Sequence, residues 1–413
     1  MELPIKKILL VIAFLSSILL FGFLLWFFFF RAAPAEIINV GEDAAIGVLP
    51  PAGSDVNIPV VSSDILGQLP ASNINAPVST TVQSAEKAQG GITKVQKVVS
   101  TSTKDATMSI NGKDMTYYDT SDNYFYKIGS NGKITKLSDK KFYDVEKTYW
   151  SKDTSKAIIE YPDQSKIMYD FQTEKQYTIP KHWEGFDFSP DGEEIVTKSM
   201  GIDRDTRWLA IANADGSGAR RIEPMGDNYA KVEPTWSPTG KIIATYAEGS
   251  GLESQDVYFI GTNNENFKSA AVKGRGFESA WSPAGSHLLY SVYSSETNYN
   301  PMLWITQADG ESIGSGRQPL GLNTWSSKCA FSSNTKIYCA VPQTLEEGSG
   351  LFPEIANSTP DNLYEINLTT GVKKMIAIPE QNATIQNIMV SGDGRTLYYT
   401  DVNTGQISKI NLK

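Results

Sequence analysis

The stretch FSPDGEEIVTK at residues 188–198 decides the fold, because it returns along the chain in recognisable copies. Two further copies are WSPTGKIIATY at 236–246 and WSPAGSHLLYS at 281–291. Each copy begins with a large apolar residue, continues through a serine and a tight turn, and ends as a strand rich in apolar residues. Recurrence at about 40–50 residues is typical of β-propellers, whose blades are four-stranded sheets.

Four weaker copies extend the pattern, and the spacing between neighbouring copies runs from 38 to 59 residues. They are MSINGKDMTYYD at 108–119, YWSKDTSKAIIEY at 149–161, AFSSNTKIYCAV at 330–341 and MVSGDGRTLYYTD at 389–401. The seven apolar anchors are Met108, Trp150, Phe188, Trp236, Trp281, Phe331 and Val390. The sequence therefore predicts an all-β fold, a seven-bladed β-propeller. Six blades with an irregular N-terminal segment are the alternative.

The two ends of the repeat region predict how the ring closes. The last copy ends at GQISKINLK, residues 405–413, which leaves its blade one strand short of four. Residues 92–100, ITKVQKVVS, resemble the outermost strands of the other blades. We expect residues 93–100 to be the fourth strand of the seventh blade, because an open ring would leave unpaired sheet edges.

The N-terminal part of the chain has a different composition. Residues 8–30 are 23 nearly uninterrupted apolar positions, which as a helix span roughly 34 Å, enough for a bilayer core. Lys6 and Lys7 precede them, so the positive-inside rule leaves residues 1–7 in the cytoplasm. Residues 31–91 are rich in Pro, Ser and Ala and are predicted to be a disordered linker before the propeller at 92–413. A cleaved signal peptide is the alternative to the membrane anchor.

Charge and cysteine content restrict the classes of partner and the compartment. The formal net charge is −9, which argues against a nucleic-acid partner because such proteins present a basic face. Cys329 and Cys339 are the two cysteines, and they flank the sixth turn. If they lie on adjacent antiparallel strands, an export pathway predicts a local disulfide. Two buried thiols remain the alternative.

The anchors and the Ala-Asp-Gly turns resemble those of the TolB-type, WD-repeat-like β-propellers of bacterial envelopes. The resemblance covers residues 108–413, about three quarters of the chain. It implies a propeller fold and a place in the cell envelope. TolB-type propellers are usually six-bladed and carry an N-terminal α/β domain, whereas this chain has seven anchors and an apolar N-terminal segment.

Motifs for catalysis or cofactors are not found in the sequence. His182 and His287 are the two histidines, and no zinc-ligand spacing, nucleophile elbow, phosphate-binding loop or dinucleotide fingerprint accompanies them. We therefore expect no metal, no cofactor and no enzymatic activity. The alternative is a hydrolase acting on glycans or peptides, with Glu233, Glu253 and Glu278 supplying the acid and base at the channel mouth.

Loop lengths predict which face of the propeller binds. The tight Ser-Pro-Asp-Gly turns belong to one face, and the long segments 200–207, 248–254, 294–301 and 342–362 belong to the other, together with the interblade connections. Long loops with aromatic and arginine residues are favoured places for partner binding. The candidate partner-binding residues are Trp183, Arg204, Arg207, Tyr229, Arg275, Phe277, Tyr299, Trp325 and Phe352.

These observations predict a membrane-anchored propeller outside the cytoplasm, in the periplasm or at the cell surface. Its expected role is a binding scaffold for an envelope protein or a cell-wall component. Besides the hydrolase, the remaining alternative is a ligand-sensing accessory subunit of a membrane complex.

Overall fold

The computed structural model describes residues 83–413, apart from Asn264 and Asn266, together with Leu20. The predicted cytoplasmic segment 1–7, the predicted anchor 8–30 except for Leu20, and the predicted linker up to residue 82 lie outside these residues. In the part of the chain that is described, no helix is long and apolar enough to cross a membrane.

The described chain forms seven sheets in a ring, and this confirms the predicted seven-bladed all-β propeller. Two short strands come first, β1 (Ile92–Thr93) and β2 (Gln96–Val99). Blade one contains β3 (Thr103–Met108), β4 (Met115–Asp119), β5 (Tyr124–Ile128) and β6 (Ile134–Lys136). Blade two contains β7 (Lys147–Trp150), β8 (Lys156–Glu160), β9 (Lys166–Asp170) and β10 (Lys175–Ile179). Blade three contains β11 (Trp183–Phe188), β12 (Glu194–Ser199), β13 (Trp208–Asn213) and β14 (Arg220–Pro224).

The remaining blades repeat the same order. Blade four contains β15 (Val232–Pro234), β16 (Ile242–Gly251), β17 (Ser254–Gly261) and β18 (Ala270–Lys273). Blade five contains β19 (Arg275–Trp281), β20 (His287–Tyr293), β21 (Met302–Gln307) and β22 (Gln318–Pro319). Blade six contains β23 (Cys329–Ser333), β24 (Lys336–Pro342), β25 (Asp361–Asn367) and β26 (Lys373–Pro379). Blade seven contains β27 (Ile385–Val390), β28 (Thr396–Asp401) and β29 (Ile407–Asn411).

Short 3₁₀ helices occur in the connections between these strands. The described residues contain Arg204–Thr206, Gly226–Lys231, Ser295–Thr297, Gly310–Ser312, Ser326–Lys328 and Pro353–Ser358. The first strands of neighbouring blades lie next to each other, so each blade has its first strand at the centre of the ring and its fourth at the outside.

The ring closes through β2, which pairs antiparallel with β29 as the fourth strand of blade seven. This confirms the predicted closure, although the strand is shorter than residues 93–100. Thr93, the first residue of that range, belongs with Ile92 to β1, which pairs in parallel with β26 as a fifth strand of blade six. The chain passes between the blades at Val95, whose backbone N–H donates to Glu380 Oε1 at 2.9 Å. Residues 83–91, within the predicted linker, also contact these blades, as when Ala88 N–H donates to the Asn411 carbonyl.

The repeated serine explains why the turn motif recurs. In blade three, Ser189 Oγ accepts the N–H of Glu194 at 2.9 Å and donates to Asp191 Oδ1 at 2.6 Å. Gly192 follows with φ of 73°, a left-handed conformation that glycine adopts without steric cost. The second copy lacks this glycine and instead places Thr154 at φ of 61°. The buried serine therefore fixes the turn even where the glycine is missing.

Apolar side chains form one cluster at each of the seven junctions between described blades. Consecutive residues on a second strand point to opposite junctions, as strand geometry requires. Ile195 packs toward blade two, while Val196 packs toward blade four. The second strands are therefore continuous apolar runs, because both of their faces are covered.

Polar links also join neighbouring blades at all seven junctions. Most of them pair a side-chain oxygen on one blade with an N–H group on the next. Asp187 serves two junctions, since it accepts Lys152 Nζ and the Trp236 N–H, each at 2.7 Å. In ring order, the links are Thr148 to Asp105, Lys152 to Asp187, Trp236 to Asp187, Trp281 to Thr235, Ser327 to Glu278, Ile385 to Asp361 and Asn387 to Ala106.

Shortening Val99, the buried residue of β2, is expected to destabilise the closed ring. Its side chain packs with Ile407 and Met389 at the junction of blades seven and one. We expect Val99→Ala to lower the free energy of unfolding by about 1–3 kcal/mol, from lost burial plus the cavity it leaves. Urea denaturation measures this. Lys97→Ala, an exposed change on the same strand, is the control, and equal effects of the two changes would contradict closure by β2.

Candidate functional site: the long-loop rim and the central channel

Among the loops that join the second and third strands of a blade, the long ones belong to four neighbouring blades, three to six. In blades one, two and seven they have four or five residues, at 120–123, 161–165 and 402–406. Blades three, five and six have loops at 200–207, 294–301 and 343–360, and in blade four β16 and β17 extend as a hairpin with its tip at 248–254. We call these four segments the long-loop rim. The long loops expected in blades three, five and six are confirmed, whereas the loop expected at 248–254 is mostly strand, with only Leu252 and Glu253 between β16 and β17.

Large apolar side chains are exposed at the tips of all four segments. Ile202 is 96% exposed, Leu252 is 90% exposed and Phe352 is 56% exposed. Tyr299 and Leu351 are exposed beside them. A single exposed apolar residue is ordinary, but several gathered on one edge of a protein are characteristic of an interaction surface.

The loops of the rim hold each other in place. Both oxygens of Glu253 in the blade-four hairpin accept bonds from Ser295 in blade five, from N–H at 2.9 Å and from Oγ at 2.7 Å. These bonds lower the pKa of Glu253. The blade-six loop in turn donates from Gly348 N–H to the Asn298 carbonyl at 3.0 Å and from Gly350 N–H to the Tyr299 carbonyl at 2.8 Å.

Two predicted arginines support the rim from within. Arg207 donates to the carbonyls of Gly201 and Ile202, and its guanidinium lies 4.9 Å from the ring centre of Tyr229. Arg275 donates through Nη2 to the Gly251 carbonyl at 3.0 Å. Three of the nine predicted residues, Arg207, Tyr229 and Arg275, therefore hold the loop tips rather than form them.

The other predicted residues divide between core and surface. Trp183 and Trp325 are buried, so little of either side chain is exposed on the surface. Phe277 is half-buried and packs on Tyr290, with ring centres 5.5 Å apart. The three predicted residues that lie exposed on the rim are Arg204, Tyr299 and Phe352.

Sequence reasoning missed three exposed aliphatic residues at the loop tips. They are Ile202, Leu252 and Leu351, and each follows a glycine within a polar loop. An aliphatic residue directly after a glycine in a polar loop is the sequence signal that indicates them. Such a residue is not part of a strand whose side chains face the core, so it is expected to be exposed.

The rim is acidic as well as apolar. Its four segments contain eight Asp and Glu residues and two arginines. One arginine, Arg207, lies 3.4 Å from the carboxylate of Asp227 in the adjacent connection, and Arg204 lies 3.7 Å from the same carboxylate. The rim therefore combines exposed apolar side chains with an excess of carboxylates.

The centre of the ring holds a polar cavity of about 800 Å³, bordered by blades one, two and seven and by the short helix Ser326–Lys328. Lys147, Lys152 and Lys328 line it. Lys328 is buried and bonds both oxygens of Asp361 at 2.8 Å. Burial lowers the pKa of Lys328 and raises that of Asp361, because each charge loses water that the ion pair replaces only in part.

The three carboxylates of the hydrolase alternative do not form one cluster. Glu253 is on the rim with Ser295, and Glu278 accepts the Ser326 hydroxyl at 2.8 Å and the Ser327 N–H at 2.6 Å. Glu233 has no hydrogen-bond partner among the described residues. Its carboxylate is near enough to Lys198, Lys147, Asp187 and Glu278 to interact electrostatically. Because these neighbours belong to blades two, three and five, Glu233 faces the channel.

Cys329 and Cys339 are register partners on β23 and β24, and their sulfurs are joined. His182 lies beside Trp183, and the ring of His287 contacts the Ser286 hydroxyl. Among the described residues, no group of three or more His, Cys, Asp and Glu side chains could hold a metal ion.

No protein-family model matches the chain, and no curated protein matches it by sequence. The β-propeller domain of Cps50 (Swd1) from Myceliophteria thermophila is similar in structure, with a TM-score of 0.53 at 11% identity over 77% of this chain and 100% of that one. An oligogalacturonate lyase in complex with manganese gives 0.49 at 11% identity over 77% and 93%. TolB from Acinetobacter baumannii gives 0.37 at 16% identity over 51% and 52%. At 11% identity, the similarity to the Cps50 (Swd1) domain supports the β-propeller fold alone.

The channel position of Glu233 predicts a pH-dependent effect on stability. The surrounding protein raises its pKa above the 4.5 of an unperturbed glutamate, so its ionised form is less favourable in the folded state. Above that raised pKa, Glu233→Gln should therefore increase the free energy of unfolding. The gain should disappear as the pH falls below about 4.5, where the carboxyl is protonated in both states. Denaturant titrations at several pH values measure it.

Glu174→Gln, in an exposed turn of blade two, is the matched control and should show no such pH-dependent gain. A destabilising effect of Glu233→Gln at neutral pH would contradict the placement of this carboxylate.

Proposed function

We propose that this chain is a membrane-tethered binding scaffold whose propeller lies outside the cytoplasm and receives a protein partner on the long-loop rim. The observation that carries the proposal is the set of exposed apolar tips on four adjacent blades, which includes Ile202, Leu252 and Phe352. Hydrogen bonds join the rim loops of blades four, five and six, and Arg207 holds the blade-three loop from its own end, so less ordering entropy opposes binding.

The sequence supports the tether and the compartment. Residues 8–30 are apolar, and Lys6 and Lys7 precede them. The joined sulfurs of Cys329 and Cys339 fit an oxidising environment, such as the periplasm or the cell surface. We include in this proposal a relationship to TolB-type propellers of the cell envelope, which rests on the Trp-Ser-Pro-x-Gly anchors. A cell-wall component is the second candidate partner.

We further propose that the protein acts by binding rather than by catalysis. Two of the three candidate carboxylates, Glu253 and Glu278, are engaged by serine hydroxyls and backbone amides. A general acid or base needs a carboxyl oxygen that is free to exchange a proton with the substrate. Both oxygens of Glu253 and Oε1 of Glu278 are instead held by these bonds.

Site-specific photocrosslinking in cells that produce the full-length chain tests the binding face. A photoreactive amino acid at position 202, 252 or 352 should give discrete crosslinked products with one protein. The same residue at position 110 or 372 is the control, because Ile110 and Val372 are 71% and 58% exposed but belong to turns of the opposite face.

Crosslinks at the control positions alone, or the same products at both sets, would contradict the proposed face. Leu252→Ser should weaken the crosslink formed from position 202, since both side chains would contact one partner. Ile110→Ser should leave that crosslink unchanged.

A further inference from the structure

A cleft of about 520 Å³ separates the long loops of blades five and six. One wall is formed by Glu296, Thr297, Asn298 and Asn300, and the other by residues 343–345. Met302 and Leu322 contribute apolar surface between the walls. This volume lies in the range of ligand-binding clefts.

The walls of the cleft present hydrogen-bonding groups that the protein itself does not use. The backbone amide and carbonyl groups of Thr344 and Leu345, which begin two residues after strand β24 ends, form no hydrogen bond with any described residue. On the opposite wall, the carboxamide of Asn298 also has no partner among the described residues. A carboxamide offers a donor and an acceptor together, which is the pattern that a peptide group presents in return.

Hydrogen bonds hold the walls of the cleft in place. The bonds from Gly348 and Gly350 to the blade-five loop close it at one end, and Thr297 Oγ1 donates to the Asn300 carbonyl at 2.7 Å. Asn298 and Tyr299 are both left-handed, with φ of 51° and 54°, and non-glycine residues rarely adopt this conformation. Such strained backbone is concentrated at ligand clamps and similar sites.

The residues that line the cleft favour a peptide over other classes of ligand. No aromatic residue lines the cleft, so a sugar ring would find no platform on which to stack. Main-chain groups beside a strand end suit an extended peptide, which pairs with them as an added strand would. Glu346 and Glu347 are exposed in the same loop, and they favour Lys or Arg on the bound segment.

We infer that this cleft receives an extended peptide segment of the partner, with a basic residue beside an aliphatic one. The inference rests on the proposed binding function and assigns the partner's chemistry at one part of the rim. The aliphatic side chain packs on Met302 and Leu322, the peptide backbone pairs with residues 344–345, and the basic side chain lies near the two glutamates.

The probe is a peptide selected for binding. Random linear 12-residue peptides are displayed on phage and selected against the full-length chain in detergent micelles. The dissociation constant of a selected synthetic peptide is then measured by fluorescence anisotropy. Asn298→Gly is the main variant, because glycine keeps the left-handed backbone and removes only the carboxamide. Gln172→Ala, at an exposed turn of blade two, is the control.

We expect Asn298→Gly to raise the dissociation constant about tenfold with an unchanged melting temperature, and Gln172→Ala to have no effect. The double variant Glu346→Gln, Glu347→Gln should weaken binding and reduce its dependence on salt. N-methylation of one central peptide amide should also weaken binding, because it removes a main-chain donor.

Failure to select any peptide, or equal binding by wild type and Asn298→Gly, would overturn the inference. Displacement of the peptide by neutral oligosaccharides would overturn the assignment to a peptide. If crosslinks from positions 202, 252 and 352 persist while the cleft variants bind the peptide normally, the proposed function stands and this inference fails. If those crosslinks are absent too, both fail.

Discussion

The structure depends on closure of the ring, because no blade can bury both of its faces alone. Adjacent residues such as Ile195 and Val196 pack into different junctions, so each blade completes its core only with two neighbours. Pairing of β2 with β29 supplies the missing strand of the last blade, and polar links such as Asp187 to Trp236 fix the blades at the centre. Closure by the N-terminal strand therefore joins the seven blades into one ring.

A closed ring gives the rim its position. The second-to-third loops emerge from strands whose places are set by the junction cores, so four neighbouring blades present their tips on one side. The side chains of Arg207 and Arg275 donate hydrogen bonds to backbone carbonyls of the blade-three and blade-four segments and so hold them in place. The resulting surface combines exposed aliphatic tips with an excess of carboxylates, and this pairing of properties is what the proposed partner must match.

The sequence predicts the fold well because the fold is repetitive. The seven anchors, the serine turns and the closing strand each follow from local patterns that return along the chain. The site is less predictable, because burial depends on contacts between loops distant in sequence. Trp183 and Trp325 resemble contact residues in the sequence but are buried, while Leu252 owes its exposure to a hairpin longer than its neighbours. The passage from β1 in blade six to β2 in blade seven includes a hydrogen bond from Val95 to Glu380, almost 300 residues away, which no local pattern could predict.

The central claim is that the rim is fixed before any partner binds. Hydrogen exchange of the full-length chain without a partner tests this at the backbone amides of Ser295, Gly348 and Gly350, which donate across the loops. The account predicts that these amides exchange markedly more slowly than those of Thr344 and Leu345, which have no acceptor among the described residues. Equally fast exchange of all five amides would show that the loops do not hold one another, and would contradict the account.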